Sequence, residues 1–329
     1  MAGKTVLVTG GAGYIGSHTC LLLTREGYTP VTLDNLSTGR REAVRSGPLI
    51  ETDLDDTKAL AGIMTETQPI AILHLAAATR VADSTVRPAA YWQNNLVTTL
   101  AVLTAAIGTG CPSVVLASTS AVYGPQASPI LSESTPPRPT NAYATSKLAG
   151  EMLLANVAES HAMGCVALRY FNVAGADPAG TLGDHSPPGT ALIPTILAAA
   201  TGRGPGFRIN GEDYDTPDGT CIRDYIHVMD VAAANLRALE WTLDHQGFEV
   251  LNIGTGTGTS IREIVTACES CIGRTIPATR DARRPGDIPR TTADCTRAES
   301  TLGFIARHSA LETIIRDAWR WHQTRPPAA

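Results

Sequence analysis

Residues 5–18 read TVLVTGGAGYIGSH, an apolar strand that runs straight into glycines 10, 11, 13 and 16 and then into the start of a helix. Glycines there permit a tight turn and a close approach of backbone to ligand. A helix N-terminus adds unpaired N–H groups and a partial positive charge suited to a pyrophosphate. A glycine pattern alone is weak evidence, but this one has the strand before it and the helix after it that dinucleotide binding requires.

Outward from that loop, short β-rich runs at 5–9, 30–34, 71–75, 114–117 and 165–169 alternate with helical stretches at 17–26, 59–66, 91–107 and 143–159. Such alternation predicts an α/β fold with a doubly wound parallel sheet, the Rossmann type. The second run ends in Asp34, about twenty residues beyond the loop, where a carboxylate accepts hydrogen bonds from the adenosine ribose and repels a 2′-phosphate. NAD is therefore expected rather than NADP. Asp53 follows another short strand, and either meets the adenine amino group or serves as a helix N-terminal carboxylate.

After Asn172 the texture changes to glycine- and proline-rich loops at 175–189 and 202–219 around short helical pieces. Long loops in a compact protein are usually functional, and this part reads as a smaller C-terminal α/β substrate-binding domain. A helix at 228–240 and a strand at 250–253 are expected to return to the first sheet. The expected division is residues 1–171 with 224–253 for NAD, and 172–223 with 254–329 for substrate, in keeping with 329 residues. Residues 326–329 are expected to fray.

Composition narrows the class. The chain is 43% hydrophobic and 17% charged, with a net charge of −5 and both signs interspersed. It has no basic footprint for nucleic acid, no polybasic membrane patch, and no apolar run near the length of a bilayer span. Residues 1–10 already lead as a strand into the loop, so no signal peptide is expected and a cytoplasmic protein is. The seven cysteines are scattered. Cys268-x-x-Cys271 is the only close pair and lacks a second pair at zinc spacing, so packed thiols and no metal are expected.

Tyr143 and Lys147 bring chemistry to the cofactor. Four residues apart on a helix they share a face, and a nearby ammonium favours the phenolate of a tyrosine whose pKa is ~10 in water. Tyr143 is thus a candidate general base near neutral pH. With Thr119 upstream and a bound dinucleotide beside it, the chain reads as a redox enzyme. His74, in LHLAA, reads as a packed histidine rather than a catalytic one.

The loop, Asp34-Asn35, Tyr143-x-x-x-Lys147, RYFN at 169–172 and DGTCIRDYIHVMD at 218–230 together resemble the extended short-chain dehydrogenase/reductase superfamily. Within it the chain resembles the UDP-glucose (UDP-galactose) 4-epimerases over nearly its full length. DNLSTG, YFNVAGADP, DGTCIRDYIHV and RRPGD fall in that family's order and spacing.

The resemblance implies that Tyr143 takes the proton of the sugar 4-hydroxyl while the hydride on carbon 4 passes to NAD. The 4-keto sugar then turns over and regains the hydride on its other face. It implies that Thr119 hydrogen-bonds the sugar oxygen and that Lys147 holds the nicotinamide ribose. Gly10, Gly13, Tyr14, Ile15, Gly16, Asp34, Asn35, Asp53, Leu54, Asn95, Lys147 and Tyr170 would line the cofactor, with a structural role for Asn95 and Tyr170 as the alternative. Asn172, Leu192, Arg223, Arg284, Asp287 and Thr291 would join Thr119 and Tyr143 around a UDP-sugar. A homodimer through helices 91–107 and 143–159 is implied as well, and an apolar face of Leu96, Leu100 and Leu103 is compatible with it.

Several positions depart from that family's pattern. Thr79, beside Arg80, stands where a lysine is usual near the cofactor. Thr190-Ala191-Leu192 replaces a segment that often carries Asn or His, and Arg208 and Asn210 stand where apolar and aromatic residues often border the uracil. Thr291 stands where a tyrosine would close the pocket to an N-acetyl group, so UDP-GlcNAc and UDP-GalNAc are expected to be accepted alongside UDP-Glc and UDP-Gal.

The rival readings are a nucleotide-sugar dehydratase or decarboxylase, a 4-epimerase of another UDP-sugar such as a uronate or pentose, and a non-catalytic NAD-sensing protein. Elimination needs a carboxylate close after Thr119, where the chain reads Ser120-Ala121-Val122-Tyr123. A sensing protein would be expected to lose Tyr143 or Lys147.

Overall fold

The computed structural model describes residues 4–324 except 188, 205 and 285, so residues 326–329 lie outside the described residues. The chain runs β1 (Thr5–Thr9), α1 (Tyr14–Arg25), β2 (Thr29–Asp34), β3 (Leu49–Glu51), α2 (Thr57–Thr67), β4 (Ala71–His74), α3 (Val81–Val86), α4 (Pro88–Tyr91), α5 (Thr98–Thr109), β5 (Ser113–Thr119), β6 (Ile130–Leu131), α6 (Ala142–His161), β7 (Gly164–Tyr170) and β8 (Asn172–Ala174). It continues through α7 (Leu192–Ala200), β9 (Phe207–Asn210), β10 (Ile222–His227), α8 (Val228–Asp244), β11 (Gly247–Ile253), β12 (Gly258–Ser260), α9 (Ile261–Ile272), β13 (Ala278–Asp281), β14 (Arg290–Ala293), α10 (Thr296–Leu302) and α11 (Leu311–Thr324).

Among the described residues, seven strands form one sheet in the order β11-β7-β5-β4-β1-β2-β3, every pair parallel. Parallel strands buried on both faces read as continuous apolar runs, and successive side chains go to opposite faces. Val6 and Val8 of β1, with Val115 and Ala117 of β5, therefore pack with Cys20 and Leu23 of α1 and with Val231 and Leu239 of α8. Leu7, Val114 and Leu116 pack on the other face against Leu60 and Met64 of α2, Val102 and Leu103 of α5, and Leu154 of α6. Residues 247–253 join this sheet at its edge, paired with β7 from Gly247 opposite Gly164 to Ile253 opposite Tyr170.

Beyond β7 the chain builds a second layer. Here β10 pairs antiparallel with β12 and parallel with β14 and β8, and β14 pairs with β6. A two-stranded parallel piece, β9 with β13, lies beside it. Its core joins Ile193, Ile196 and Leu197 of α7, Ile264 and Cys268 of α9, and Ile314 and Ile315 of α11. Cys268 is thus a core thiol, while Cys271 is exposed.

The helix expected at 91–107 is present and runs unbroken through α4 and α5, with a π-helical turn at Trp92–Val97 inside it, a wider coil that often marks functional sites. Leu96, Leu100 and Leu103 do not share one exposed face, because Leu103 is 1% exposed and Leu100 is 49% exposed. The exposed apolar side chains of this region are instead Trp92, Val97 and Leu100, with Met152 on α6.

Candidate active site

The strand order reverses at β1, which has β2 on one side and β4 on the other, and ligands of open α/β sheets bind at such a point. The glycine loop fills it at close quarters. Gly10 has φ +70°, and a Cβ there would lie 2.7 Å from the Ala76 backbone nitrogen. On Gly16 a Cβ would lie 2.2 Å from the Gly10 carbonyl oxygen. The N-cap of α1 is Gly13, which offers no side-chain cap, so the first-turn N–H groups of Tyr14, Ile15 and Gly16 are left for a ligand. A bare N-terminus with no Cβ in the way fits a pyrophosphate.

At the end of β2 the Asp34 carboxylate accepts from the backbone N–H of Ala12 at 3.0 Å and of Leu36 at 2.9 Å. Burial raises its pKa against those hydrogen bonds. Asn35 donates its amide to exposed Asp53, and Leu54 turns its side chain into the core. An adenosine ribose directed at Asp34 fits this corner. Thr79 and Arg80, which follow β4, are exposed.

Other polar groups near the loop are committed to the protein. Tyr14 donates its hydroxyl to the Gly175 carbonyl at 2.7 Å. Tyr170 donates to the Asn235 side chain at 2.6 Å, and Asn235 donates to Thr19 at 3.2 Å, joining β7, α8 and α1. In the π-helical turn, Asn95 accepts from Ala78 N–H at 2.8 Å and donates to the Ala78 carbonyl and to Ser146. It braces the strand after β4 against α6.

Thr119 ends β5 and caps the short 3-10 turn Ser120–Tyr123, accepting the Ala121 N–H at 3.1 Å. Its O–H is thereby free to donate toward the Tyr143 phenol, whose pKa it lowers. Helix α6 opens with Asn141 capping Ala144 N–H at 2.9 Å, which sets Tyr143 in the first turn and Lys147 one turn deeper. The Tyr143 ring meets Tyr91 edge-on, with centroids 6.4 Å apart.

Burial decides the electrostatics of both groups. It raises the Tyr143 pKa from its ordinary value, with the Thr119 hydrogen bond opposing. It lowers the Lys147 pKa to about 8, with Glu151 opposing. Lys147 is 4% exposed. The phenol acidity expected from a neighbouring lysine is therefore not a property of the protein alone, because the low-dielectric surroundings penalise the charged form of each residue. His74 is bonded at both ring nitrogens, to Thr9 at 2.8 Å and Thr99 at 3.0 Å. Burial pushes its pKa down to about 3, so it is neutral and packed.

On the far side of the cleft, the pairing of β10 with β14 sets Arg223 opposite Thr291, and that of β8 with β10 sets Asn172 opposite Tyr225. The Arg223 guanidinium lies 3.9 Å from the Asp287 carboxylate, and Asp287 N–H donates to the Arg284 carbonyl at 3.2 Å. Arg284 itself is exposed. Leu192 opens α7 and packs its side chain on the second core, while Ala191 at the N-cap offers no polar atom. Arg208 is paired with Asp281 at 3.2 Å and Asn210 donates to the Arg208 carbonyl at 3.4 Å, both on the β9–β13 piece.

Two polar groups that matter to this arrangement escape a reading of the sequence. Buried Asp224, one residue after Arg223, accepts four hydrogen bonds from residues 255, 256 and 293. Buried Glu151 accepts from Ser118 and Arg169. The available signals were a carboxylate inside the β10 strand pattern and one a helical turn after Lys147.

The family model described as the NAD dependent epimerase/dehydratase family matches residues 6–254. A UDP-glucose 4-epimerase of Rhizobium leguminosarum bv. trifolii is 45% identical over 323 residues, 98% of each chain. Among solved structures, a UDP-glucose 4-epimerase from Brucella ovis in complex with NAD has a TM-score of 0.94 at 45% identity, covering 96% of this chain and 97% of that one. One from Bifidobacterium longum in complex with NAD+ and UDP has a TM-score of 0.93 at 33% identity, covering 98% and 99%. With the glycine loop at the sheet's reversal, Thr119 at the end of β5 and Tyr143 and Lys147 in the first turns of α6, the chain belongs to the NAD dependent epimerase/dehydratase family and, within it, to the UDP-glucose 4-epimerases.

Proposed function

We propose that Thr119, Tyr143 and Lys147 carry the NAD-dependent 4-epimerisation of a UDP-hexose through a transient 4-keto sugar. The observation that carries this assignment is the Thr119 hydroxyl, capped onto Ala121 and close enough to the Tyr143 phenol to lower its pKa, with a buried lysine one turn below. A bound NAD would supply the acceptor and donor of the hydride at sugar carbon 4. Tyr143 takes the 4-hydroxyl proton and later gives it back, while Thr119 steadies the same oxygen. Lys147 holds the nicotinamide ribose and keeps a positive charge beside the phenol. The loop from Gly10 to Gly16 holds the pyrophosphate, with Asp34, Asn35 and Asp53 toward the adenosine. Arg223 and Arg284 meet the UDP diphosphate, for which bidentate guanidinium contacts suit, and Asn172 and Asp287 meet the nucleotide. The test is an NMR assay of purified protein against UDP-Gal and UDP-Glc without added NAD. Inversion at carbon 4 is the expected result, and no conversion even with NAD supplied would sink the assignment.

Thr291 favours a broader substrate range. It is half-buried on β14 beside Arg223, and its small side chain leaves room for a sugar 2-substituent. UDP-GalNAc is expected to turn over at a rate comparable to UDP-Gal. Thr291→Tyr should lower the UDP-GalNAc rate about tenfold or more, the scale of a steric mismatch in a pocket, and leave the UDP-Gal rate near wild type. Equal loss on both substrates, or on neither, would remove Thr291 from specificity.

The same reading divides the chain into a cofactor unit, 1–171 with 224–253, and a substrate unit, 172–223 with 254–329. It makes the protein a cytoplasmic homodimer of galactose metabolism. The free thiols fit a reducing compartment. Trp92, Val97, Leu100 and Met152, exposed on neighbouring elements, suit a surface that a second copy covers. Leu100→Glu should convert the dimer to monomer in light scattering, and an unchanged mass would move the interface elsewhere.

A further inference from the structure

Beneath the reacting groups lies a buried polar cluster that the steps above do not use. Glu151 follows Lys147 by one turn of α6, and both are 4% exposed. Its carboxylate accepts from Arg169 Nε at 3.0 Å and Nη2 at 2.7 Å, and from the Ser118 hydroxyl. Ser118 and Arg169 face each other across β5 and β7, and each directly precedes a residue of the site, Thr119 and Tyr170. Arg169 also lies over the Tyr123 ring, 4.8 Å from its centroid. One carboxylate thus ties together the helix that carries Tyr143 and Lys147, the strand that delivers Thr119 and the strand that delivers Tyr170.

An ion pair buried to this degree is a poor way to gain stability, since desolvation offsets most of the attraction. Bidentate geometry on three elements is, however, a good way to fix positions to within the few tenths of an ångström that proton transfer requires. Resting on the epimerase reading above, we propose that Glu151 is a positioning residue for the reaction, holding Thr119 in register with Tyr143 through Ser118 and Arg169.

The titratable groups around this pair are Arg169 from β7, Tyr123 from the 3-10 turn, His74 from β4, and Tyr143 on α6 with Tyr91 against it. His74 is neutral across the working range, and Arg169 is already matched by Glu151.

Two variants test this, assayed for UDP-Gal conversion across pH together with melting temperature, NAD content and UDP affinity. Ser118→Ala removes the link to β5 and leaves the ion pair. It should lower kcat about tenfold, the scale of a small misplacement, with KM, UDP affinity and NAD content unchanged. Glu151→Gln combined with Arg169→Met removes both charges without stranding either. It should lower kcat at least as far as Ser118→Ala, with KM, UDP affinity and NAD content unchanged. A wild-type kcat in Ser118→Ala, or KM, UDP affinity and melting temperature falling together with kcat, would overturn the proposal, as would a wild-type kcat in a folded double variant. Should the double variant not fold, Ser118→Ala decides alone. Absence of turnover in the wild-type protein would instead refute the epimerase reading.

Discussion

Tyr143→Phe is expected to lower kcat for UDP-Gal by about a thousandfold, within the range for loss of a positioned general acid–base, while NAD content and UDP affinity stay at wild-type values. The substitution removes one oxygen from a ring held by the first turn of α6 and by its edge-on contact with Tyr91, so the fold has no reason to respond. The phenol is the group whose pKa the Thr119 hydroxyl lowers, and the one phenol of the 120–123 turn, Tyr123, is committed to Asn252. The burial that raises its pKa also means that the phenolate must be stabilised by groups assembled around it. On the proposed reading those would be the Thr119 O–H, the Lys147 ammonium and the positive charge of oxidised NAD. Spectroscopic NAD content and UDP calorimetry beside the NMR assay check the outcome. Turnover near wild type, or loss of NAD in step with turnover, would take the proton transfer away from Tyr143.

The largest stability effect is expected at Asp224, which is fully buried. Its Oδ1 accepts from the Thr255 N–H at 2.9 Å and hydroxyl at 2.7 Å, and its Oδ2 from Gly256 N–H at 2.9 Å and Ala293 N–H at 3.1 Å. One side chain thereby fastens β10, the turn after β11 and the end of β14. Gly254 is required beside it, since a Cβ there would lie 2.7 Å from Asp224 Oδ2. Asp224→Ala removes the acceptor of three backbone N–H groups, that of Ala293 buried, and the cost is on the order of 4 kcal/mol. In a chain of this size that lowers the melting temperature by roughly 6 °C. Arg223 and Thr291 sit on the two strands so joined, so KM for the UDP-sugar should rise as well. An unchanged melting temperature would show that water replaces the carboxylate and that the fastening is not needed.

The parts of the molecule built from local sequence were legible in it. The glycine loop announced itself because a strand, a turn without Cβ atoms and a bare helix N-terminus are contiguous and have only one economical geometry. Asp34 was legible as the end of the next strand, and Tyr143 with Lys147 through helical spacing. The strand runs at 30–34, 71–75, 114–117 and 165–169 all fall within strands of the parallel sheet, extended or trimmed by one or two residues at their ends, where hydrogen bonding rather than pattern sets the limit.

What the tertiary structure decided are matters of which distant residues meet. Asn95 is turned inward within a π-helical turn of the expected 91–107 helix, and packing buries Leu103 while leaving Leu100 exposed, so the expected Leu96–Leu100–Leu103 face does not form. Tyr170 is committed to Asn235 across 65 positions of sequence. Arg208 and Asn210, read as neighbours of the base, lie on the strand piece paired with 278–281. The titration behaviour of Tyr143 and Lys147 could not follow from their spacing, because spacing gives the neighbour but burial sets the dielectric around it. Glu151 and Asp224 were invisible for the same reason: each is an ordinary carboxylate in sequence, and becomes a fastening only when strands far apart in the chain close over it. Sequence determined the elements and the cofactor loop, whose physics is local; the fold alone decided the polar contacts between elements, whose energies depend on what excludes water from them.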